Sequence, residues 1–299
     1  MNDHYIRALS HSGGIRVLVC STAALSREIC SLQKPSATAS IALGRGISAG
    51  ALMGGLLKGG QRVALKYEAN GPLRKMIIEA DSDGALRACC ANPEAEVEPL
   101  NGRWNVPALL GKAGFLTVSR DSGTGSPPYQ GMVQLRSSEI GDDLALYLTE
   151  SEQIPSAVGV GVQLGNDGEI SLCGGFLVQA IPNRAADEEI NAVLARIESL
   201  PPITTLLAEK GTDGLLQALM GDLEFRRLET RALFFRCGCS REKVEQALHS
   251  LGAEGLKEMR ETDGQALVTC EFCRQQYTFN GGELERLELL AGSALRSMQ

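Results

Sequence analysis

The sequence predicts an α+β protein: an N-terminal, mainly antiparallel sheet with helices packed on it, a helical linker, and a small C-terminal module built around four cysteines. Three observations predict it. Over residues 1–182 strand-like segments outnumber helical ones and hairpin turns recur, the signature of an antiparallel sheet. After Pro182 the pattern changes to Leu-rich helical spacing. From Cys237 onward, 63 residues carry two tight cysteine pairs.

The first strand signal is "GIRVLVCST". The small-residue stretch "TASIALGRGISAGALMGGLL" follows and reads as a closely packed helix. In "QRVALKYEANG", Val63, Leu65 and Tyr67 alternate as in a half-buried strand. "LRKMIIEADSDGALRACCA" reads as two strands joined at Asp83-Gly84, a hairpin signal. "GFLTVSRDSG" and "YQGMVQLRSS" are further strands, and "EIGDDLALYLTES" is a short helix. "AVGVGVQLGNDGEISLCGGFLVQAI" is a second hairpin, turning at Asn166, Asp167 and Gly168. In "DEEINAVLARIESL", Ile190, Val193, Leu194 and Ile197 fall at helical spacing with acids in the first turn. "PPITTLLAEKGTDGLLQALMGD" gives two short helical pieces broken by glycine. Such helices cannot bury an apolar stripe alone, so residues 183–236 are expected to dock on the sheet domain as a helical linker. Residues 237–299 form the last unit, too small to rely on core burial and in need of a staple.

Composition narrows the function. The 299 residues suit about two domains, and 43% hydrophobic with 22% charged residues is globular. Aromatics are only 4%, so the core must come from Leu, Ile, Val and Ala. A net charge of −7 argues against a broad basic face, and no nucleic-acid partner is expected. The opening "MNDHYIRALSHSGG" lacks the apolar core of a signal peptide. The most apolar stretch, "ISAGALMGGLL", is far shorter than the ~20 residues that span a bilayer. A cytoplasmic protein with no membrane contact is expected. In a reducing compartment an odd total of nine cysteines points away from a disulfide framework and towards metal or redox chemistry.

Cys237 and Cys239 are spaced C-x-C; thirty residues later Cys270 and Cys273 are spaced C-x-x-C. Paired cysteines across a loop supply the four soft ligands that zinc takes in a tetrahedron. The spacing is not that of the common ribbon, whose C-x-x-C pairs lie about 15–20 residues apart. His249 lies in the helical pattern "REKVEQALHSLG" and is not expected to ligate. Four thiolates around one dication leave a charge of −2. Arg236, Arg241, Lys243 and Arg274 flank the pairs, either offsetting that charge or forming an ordinary solvated face. Each pair is also close enough in the chain to form its own disulfide, with Gly238 easing the tighter C-x-C ring. Structural zinc in small modules contributes ~10–16 kcal/mol, as much as the ~5–15 kcal/mol that stabilises a whole domain. Oxidation of the ligands would therefore suffice to unfold the module. On the residues alone, a purely structural site and a redox switch both stand.

At these residues the sequence resembles the thirty-three-kilodalton heat-shock protein family, the bacterial redox-regulated chaperones. The similarity runs through "FRCGCSREKVEQALHSLG" and "VTCEFCRQQYTF" at the C-terminal end. It continues in "GKAGFLTVSRDSG", "YQGMVQL", "EIGDDLALYLTESEQIPSAVGVGV", "GGFLVQAIP" and "SATASIALGRGISAGALMGGLLKGGQRVALKYEANGPL", nearly the whole chain in family order. Ala113 departs from the "GKGG" turn of the family. The resemblance implies one Zn²⁺ per chain in the reduced state, held by Cys237, Cys239, Cys270 and Cys273. It further implies activation by oxidant with unfolding stress, when Cys237–Cys239 and Cys270–Cys273 become disulfides and zinc is released. The module and the linker then unfold, hydrophobic surface reaches unfolding client proteins, and the active form is a homodimer. Clients are held without ATP hydrolysis, and the protein is not an enzyme.

Other features are read as structural. Adjacent Cys89 and Cys90 are expected as thiols in a strand, and Cys20, Cys30 and Cys173 as small buried hydrophobes. "GRGISAG" misses the dinucleotide fingerprint, and "GKAGFLTV" misses phosphate-loop spacing. His4, His11 and His249 suggest no nucleophile–base pair, and Glu150 and Glu152 read as a solvated helix end. Two alternative functions stand beside the chaperone. A zinc-stabilised constitutive binding or adaptor protein would want a basic module, whereas residues 237–299 hold 7 Lys and Arg against 10 Asp and Glu, a net of −3. A thiol–disulfide oxidoreductase would place C-x-x-C at a helix start, whereas here it follows the strand-like "QALVTC".

Overall fold

The computed structural model describes residues 3–296 and divides into two compact units, one ending at Arg236 and one starting at Cys237. The first unit opens with strands β1 (His4–Ser10) and β2 (Ile15–Ser21), then helices α1 (Ala23–Gln33) and α2 (Ala37–Gly54). Strands β3 (Arg62–Ala69), β4 (Lys75–Asp81) and β5 (Ala85–Cys90), the short helix α3 (Val106–Leu110) and strands β6 (Gly114–Asp121) and β7 (Tyr129–Gln134) follow. Helix α4 (Ile140–Glu150) leads to the hairpin β8 (Ser156–Leu164) and β9 (Ile170–Ala180). Helices α5 (Asp187–Ser199) and α6 (Ile203–Met220), then strands β10 (Phe225–Ala232) and β11 (Phe234–Phe235), complete the unit.

Two sheets form where the sequence suggested one. The first has five strands in the order β10-β1-β2-β9-β8; the second has six, in the order β11-β5-β4-β3-β6-β7. Every pairing within them is antiparallel except β11 with β5. Helix α2 packs against strands of both sheets and is buried along nearly its whole length. Its glycines make that possible: a Cβ on Gly50 would lie 2.4 Å from Ile78 Cγ2, well inside contact distance. Close packing is thus the role of "GRGISAG". Ala113, the departure from the family turn, keeps a negative φ, so its methyl group costs the backbone nothing.

The opposite face of the five-stranded sheet is covered by α5 and α6. Val193, Leu206, Leu207, Leu215, Leu216 and Leu219 pack with Ile6, Ile15, Val17, Val19, Phe176 and Val178 in one buried cluster. Helix α6 is broken at Gly211, whose φ of 63° and ψ of −166° are closed to other residues. Residues 183–236 are not helical throughout, a correction to the expected linker. Residues 225–232 pair as β10 with the free edge of β1. The segment "FRRLETRA" is mostly exposed and carries three arginines. Its strand state comes from backbone pairing and not from apolar alternation, which is why the sequence pattern missed it, and its charges suit a sheet edge.

In the second unit, helices α7 (Arg241–His249) and α8 (Gly252–Asp263) precede strands β12 (Gln265–Thr269) and β13 (Gln276–Asn280) and helix α9 (Gly281–Arg296). The two strands form an antiparallel hairpin. Leu248, Leu256, Ala266, Phe279, Leu284, Leu287 and Ala291 are its buried apolar core. Among the described residues no helix is long and apolar enough to cross a membrane.

Candidate metal centre

The centre is built from two chain segments that a hairpin and a helix start bring together. Cys270 follows β12 and Cys273 lies three residues before β13. The turn between them is closed by Cys270 N–H donating to Gln275 O at 2.9 Å and Arg274 N–H donating to Cys270 O at 3.0 Å. Arg274 takes the left-handed conformation, with φ at 61°, so the turn can reverse directly after the second cysteine. On the other segment Cys239 directly precedes Ser240, the N-cap of α7, whose hydroxyl accepts from Lys243 N–H. Lys243 Nζ donates to Gly238 O at 2.5 Å and pins the C-x-C loop. Asn280 and Glu283 cap the start of α9 reciprocally, at 2.9 and 3.0 Å. Glu283 also receives Arg241 at 2.6 Å, tying α7 to α9 beside the site.

The four sulfurs lie within 4.8 Å of one another. Cys237 and Cys270 approach to 3.7 Å, Cys239 and Cys273 to 3.3 Å. Zinc–sulfur bonds of about 2.3 Å in a tetrahedron place sulfurs about 3.8 Å apart, a spacing close to that of the four sulfurs here. It is too long for S–S bonds of about 2.05 Å, and all four cysteines are thiols. The residues present therefore fit a metal ion, and the donor set is one that zinc favours.

Burial and hydrogen bonding shift the thiols of Cys237, Cys239 and Cys273 in different directions. Burial pushes the Cys239 thiol up, but the Tyr277 hydroxyl at 3.2 Å and the neighbouring sulfurs outweigh it and bring it down to about 7. The same hydrogen bond carries Tyr277 up to about 12. Burial, with the other thiols, raises Cys273 to about 12, and burial also raises Cys237. Tyr277 was not anticipated from the sequence, although "QQYTF" places a phenol four positions after Cys273. Of the four cations expected near the cysteines, Arg236 is engaged by Asp81 and Asp83. Arg241 is engaged by Glu283 and lies over the Phe279 ring at 4.2 Å.

The remaining flagged residues lie elsewhere. His249 ends α7 and is not among the clustered donors. His4 Nε2 meets Thr212 Oγ1 at 2.9 Å, joining β1 to α6. Glu152 pairs with Arg120 at 2.6 Å, and Glu150 is exposed. Cys89 and Cys90 are buried thiols in β5. Cys173 is surrounded by the Thr22, Ser26 and Ser48 hydroxyls at 3.1, 3.4 and 3.3 Å. Burial raises the thiols of Cys20, Cys30 and Cys173, so these cysteines are poor nucleophiles beside Cys239.

Comparison with known proteins agrees with this architecture. A family model described as Hsp33 protein matches residues 3–280. The chain is 64% identical over 287 residues to a 33 kDa chaperonin of Pelobacter propionicus, covering 96% of this chain and 94% of the relative. It is 37% identical to a 33 kDa chaperonin of Geobacillus kaustophilus, over 97% of this chain and 99% of that one. The crystal structure of 33 kDa chaperonin (heat shock protein 33 homolog) from Thermotoga maritima superposes with a TM-score of 0.88 at 32% identity, covering 97% and 99% of the two chains.

Proposed function

The chain belongs to the Hsp33 family, and from that premise we propose that it is a redox-regulated holdase chaperone that works without ATP. The observation that carries this reading is the convergence of two distant cysteine pairs within 4.8 Å, in a unit with a small core of its own. In the reduced protein Cys237, Cys239, Cys270 and Cys273 hold one Zn²⁺, and the protein is a poor chaperone. Zinc, when bound, cross-links four thiolates from two segments and so stabilises the fold around them.

An oxidant such as hydrogen peroxide takes two electrons and two protons from each pair. Cys237 bonds to Cys239, Cys270 bonds to Cys273, and each peroxide leaves as two waters. Sulfurs joined in this way no longer form the donor set that holds the metal. Residues 237–299, the redox-sensing module, then lose their staple and unfold under stress. They are joined by one peptide bond to residues 183–236, the metastable linker, whose helices α5 and α6 cover the apolar face of the 1–182 chaperone core. Loosening of the linker bares Ile6, Val17, Val19, Phe176 and Val178, a surface suited to unfolding clients. The oxidised form acts as a homodimer in the cytoplasm, by binding and not by catalysis.

The test treats zinc-loaded protein with peroxide at raised temperature. Metal release, pairing of the four thiols and suppression of client aggregation are followed together, and all three are expected to rise in step. Metal loss without any gain in aggregation suppression would overturn the reading.

A further inference from the structure

The chain enters the metal centre through β11, a strand of only two residues at the edge of the six-stranded sheet. Backbone pairing there is slight: Phe234 N–H donates to Gly84 O and Arg236 N–H to Leu86 O, both at 3.1 Å. The β4–β5 turn adds a grip that such a short strand does not require. Arg236 Nη1 reaches Asp83 Oδ2 at 2.7 Å, while Nη2 reaches Asp81 Oδ2 at 2.9 Å and Asp83 Oδ1 at 3.1 Å. Arg62 braces Asp81 from the far side at 2.5 Å. Five residues before Arg236, Arg231 Nη1 donates to Ser82 O at 2.8 Å. Gly84, with φ at +95°, lets Ala232 pass: a Cβ there would fall 2.2 Å from Ala232 O. One turn thus holds Arg231, Ala232 and Arg236, the last residue before Cys237.

We propose that the β4–β5 turn is a latch on the linker, with the Arg236 ion pairs to Asp81 and Asp83 as its bolt, setting a release threshold separate from the thiol chemistry. This rests on the redox-gated reading above. Disorder that starts at Cys237 meets the latch at the next residue. Until the latch opens, residues 225–236 stay on the sheets and α5–α6 stay over the apolar face. Oxidation removes the staple, and a second input, heat or another unfolding stress, opens the latch. The Arg236 and Asp83 side chains are 47% and 48% exposed, so the bolt is weak enough to open and is screened by salt.

The experiment uses full-length Asp83→Asn and Arg236→Gln proteins and their double variant. Zinc content and thiol count in the reduced state are expected to match the parent. Hydrogen exchange over residues 225–236 in metal-free protein is expected to quicken roughly two- to fivefold, the range that loss of half-exposed ion pairs supports. The double variant is expected to add nothing beyond Arg236→Gln, which already removes the pairs to both Asp81 and Asp83, and to exceed Asp83→Asn alone, which leaves the Asp81 pair in place. Peroxide-treated variants should suppress client aggregation at a lower temperature than the parent. High salt should move the parent's exchange towards that of the variants, a measurement that needs no mutant to fold. Unchanged exchange in both variants, or exchange in the parent indifferent to salt, would overturn the latch. If oxidation never activates the parent, the redox-gated reading falls, yet the exchange data still decide whether the turn holds the linker.

Discussion

The Tyr277 hydroxyl donates to Cys239 at 3.2 Å and, with the neighbouring sulfurs, lowers the proton affinity of that thiol. Partners of ligand atoms typically change metal affinity by about 10–100-fold when removed. Tyr277→Phe keeps the ring in β13 and deletes only the donor. Zinc transfer to a competing chelator is expected to become about tenfold more favourable, with the circular dichroism of the loaded protein unchanged. Gly50 poses an opposite case, in which two effects compete. Alanine improves helix propensity by about 0.8–1 kcal/mol. Its methyl group would meet the fully buried Ile78 at 2.4 Å, and overpacking costs about 1–3 kcal/mol. Since Ile78 is branched and enclosed, the clash wins, and Gly50→Ala is expected to lower the thermal midpoint. A rise in the midpoint would show that α2 can shift between the sheets. At this scale the four cysteines were legible, because ligand spacing is written along the chain. Tyr277 and the acids holding Arg236 were not, because their roles depend on strand register.

Among elements, α6 has the most unusual backbone. Gly211 sits where only glycine is comfortable, and the strain of forcing another residue there is about 1–3 kcal/mol. Gly211→Ala is expected to loosen α6 from the sheet, read as faster hydrogen exchange over residues 203–220 with no change at β3 and β4. Exchange that slows instead would mean that the break is a weak point and not a fit to the sheet. The glycine-broken helical pieces were readable because Leu spacing and Gly stand out locally. Strand β10 was hidden, since a charged edge strand gains its order from the β1 backbone and carries no apolar period.

For the whole molecule, the small core from Cys237 onward and the two larger clusters before it are expected to respond differently to a chelator. A strong chelator added to reduced protein is expected to remove exchange protection from α7–α9 and leave β3, β4 and α2 protected. Retained protection in α7–α9 would show that the core around Phe279 suffices alone. Replacing Cys237, Cys239, Cys270 and Cys273 together by serine is expected to give aggregation suppression without oxidant; an inactive but soluble variant would favour a merely structural site. The sequence by itself determined the α+β class, the β4–β5 and β8–β9 hairpins, the packing role of the glycine-rich helix and the four candidate ligands, since each is a local or short-range pattern. Tertiary structure alone decided that the strands divide into two sheets with α2 packed against both, which sheet face the docked helices α5 and α6 cover, and that Arg236 pairs with the β4–β5 turn. Those features join residues far apart in the chain, and only packing and backbone pairing choose between partners that local pattern leaves equivalent.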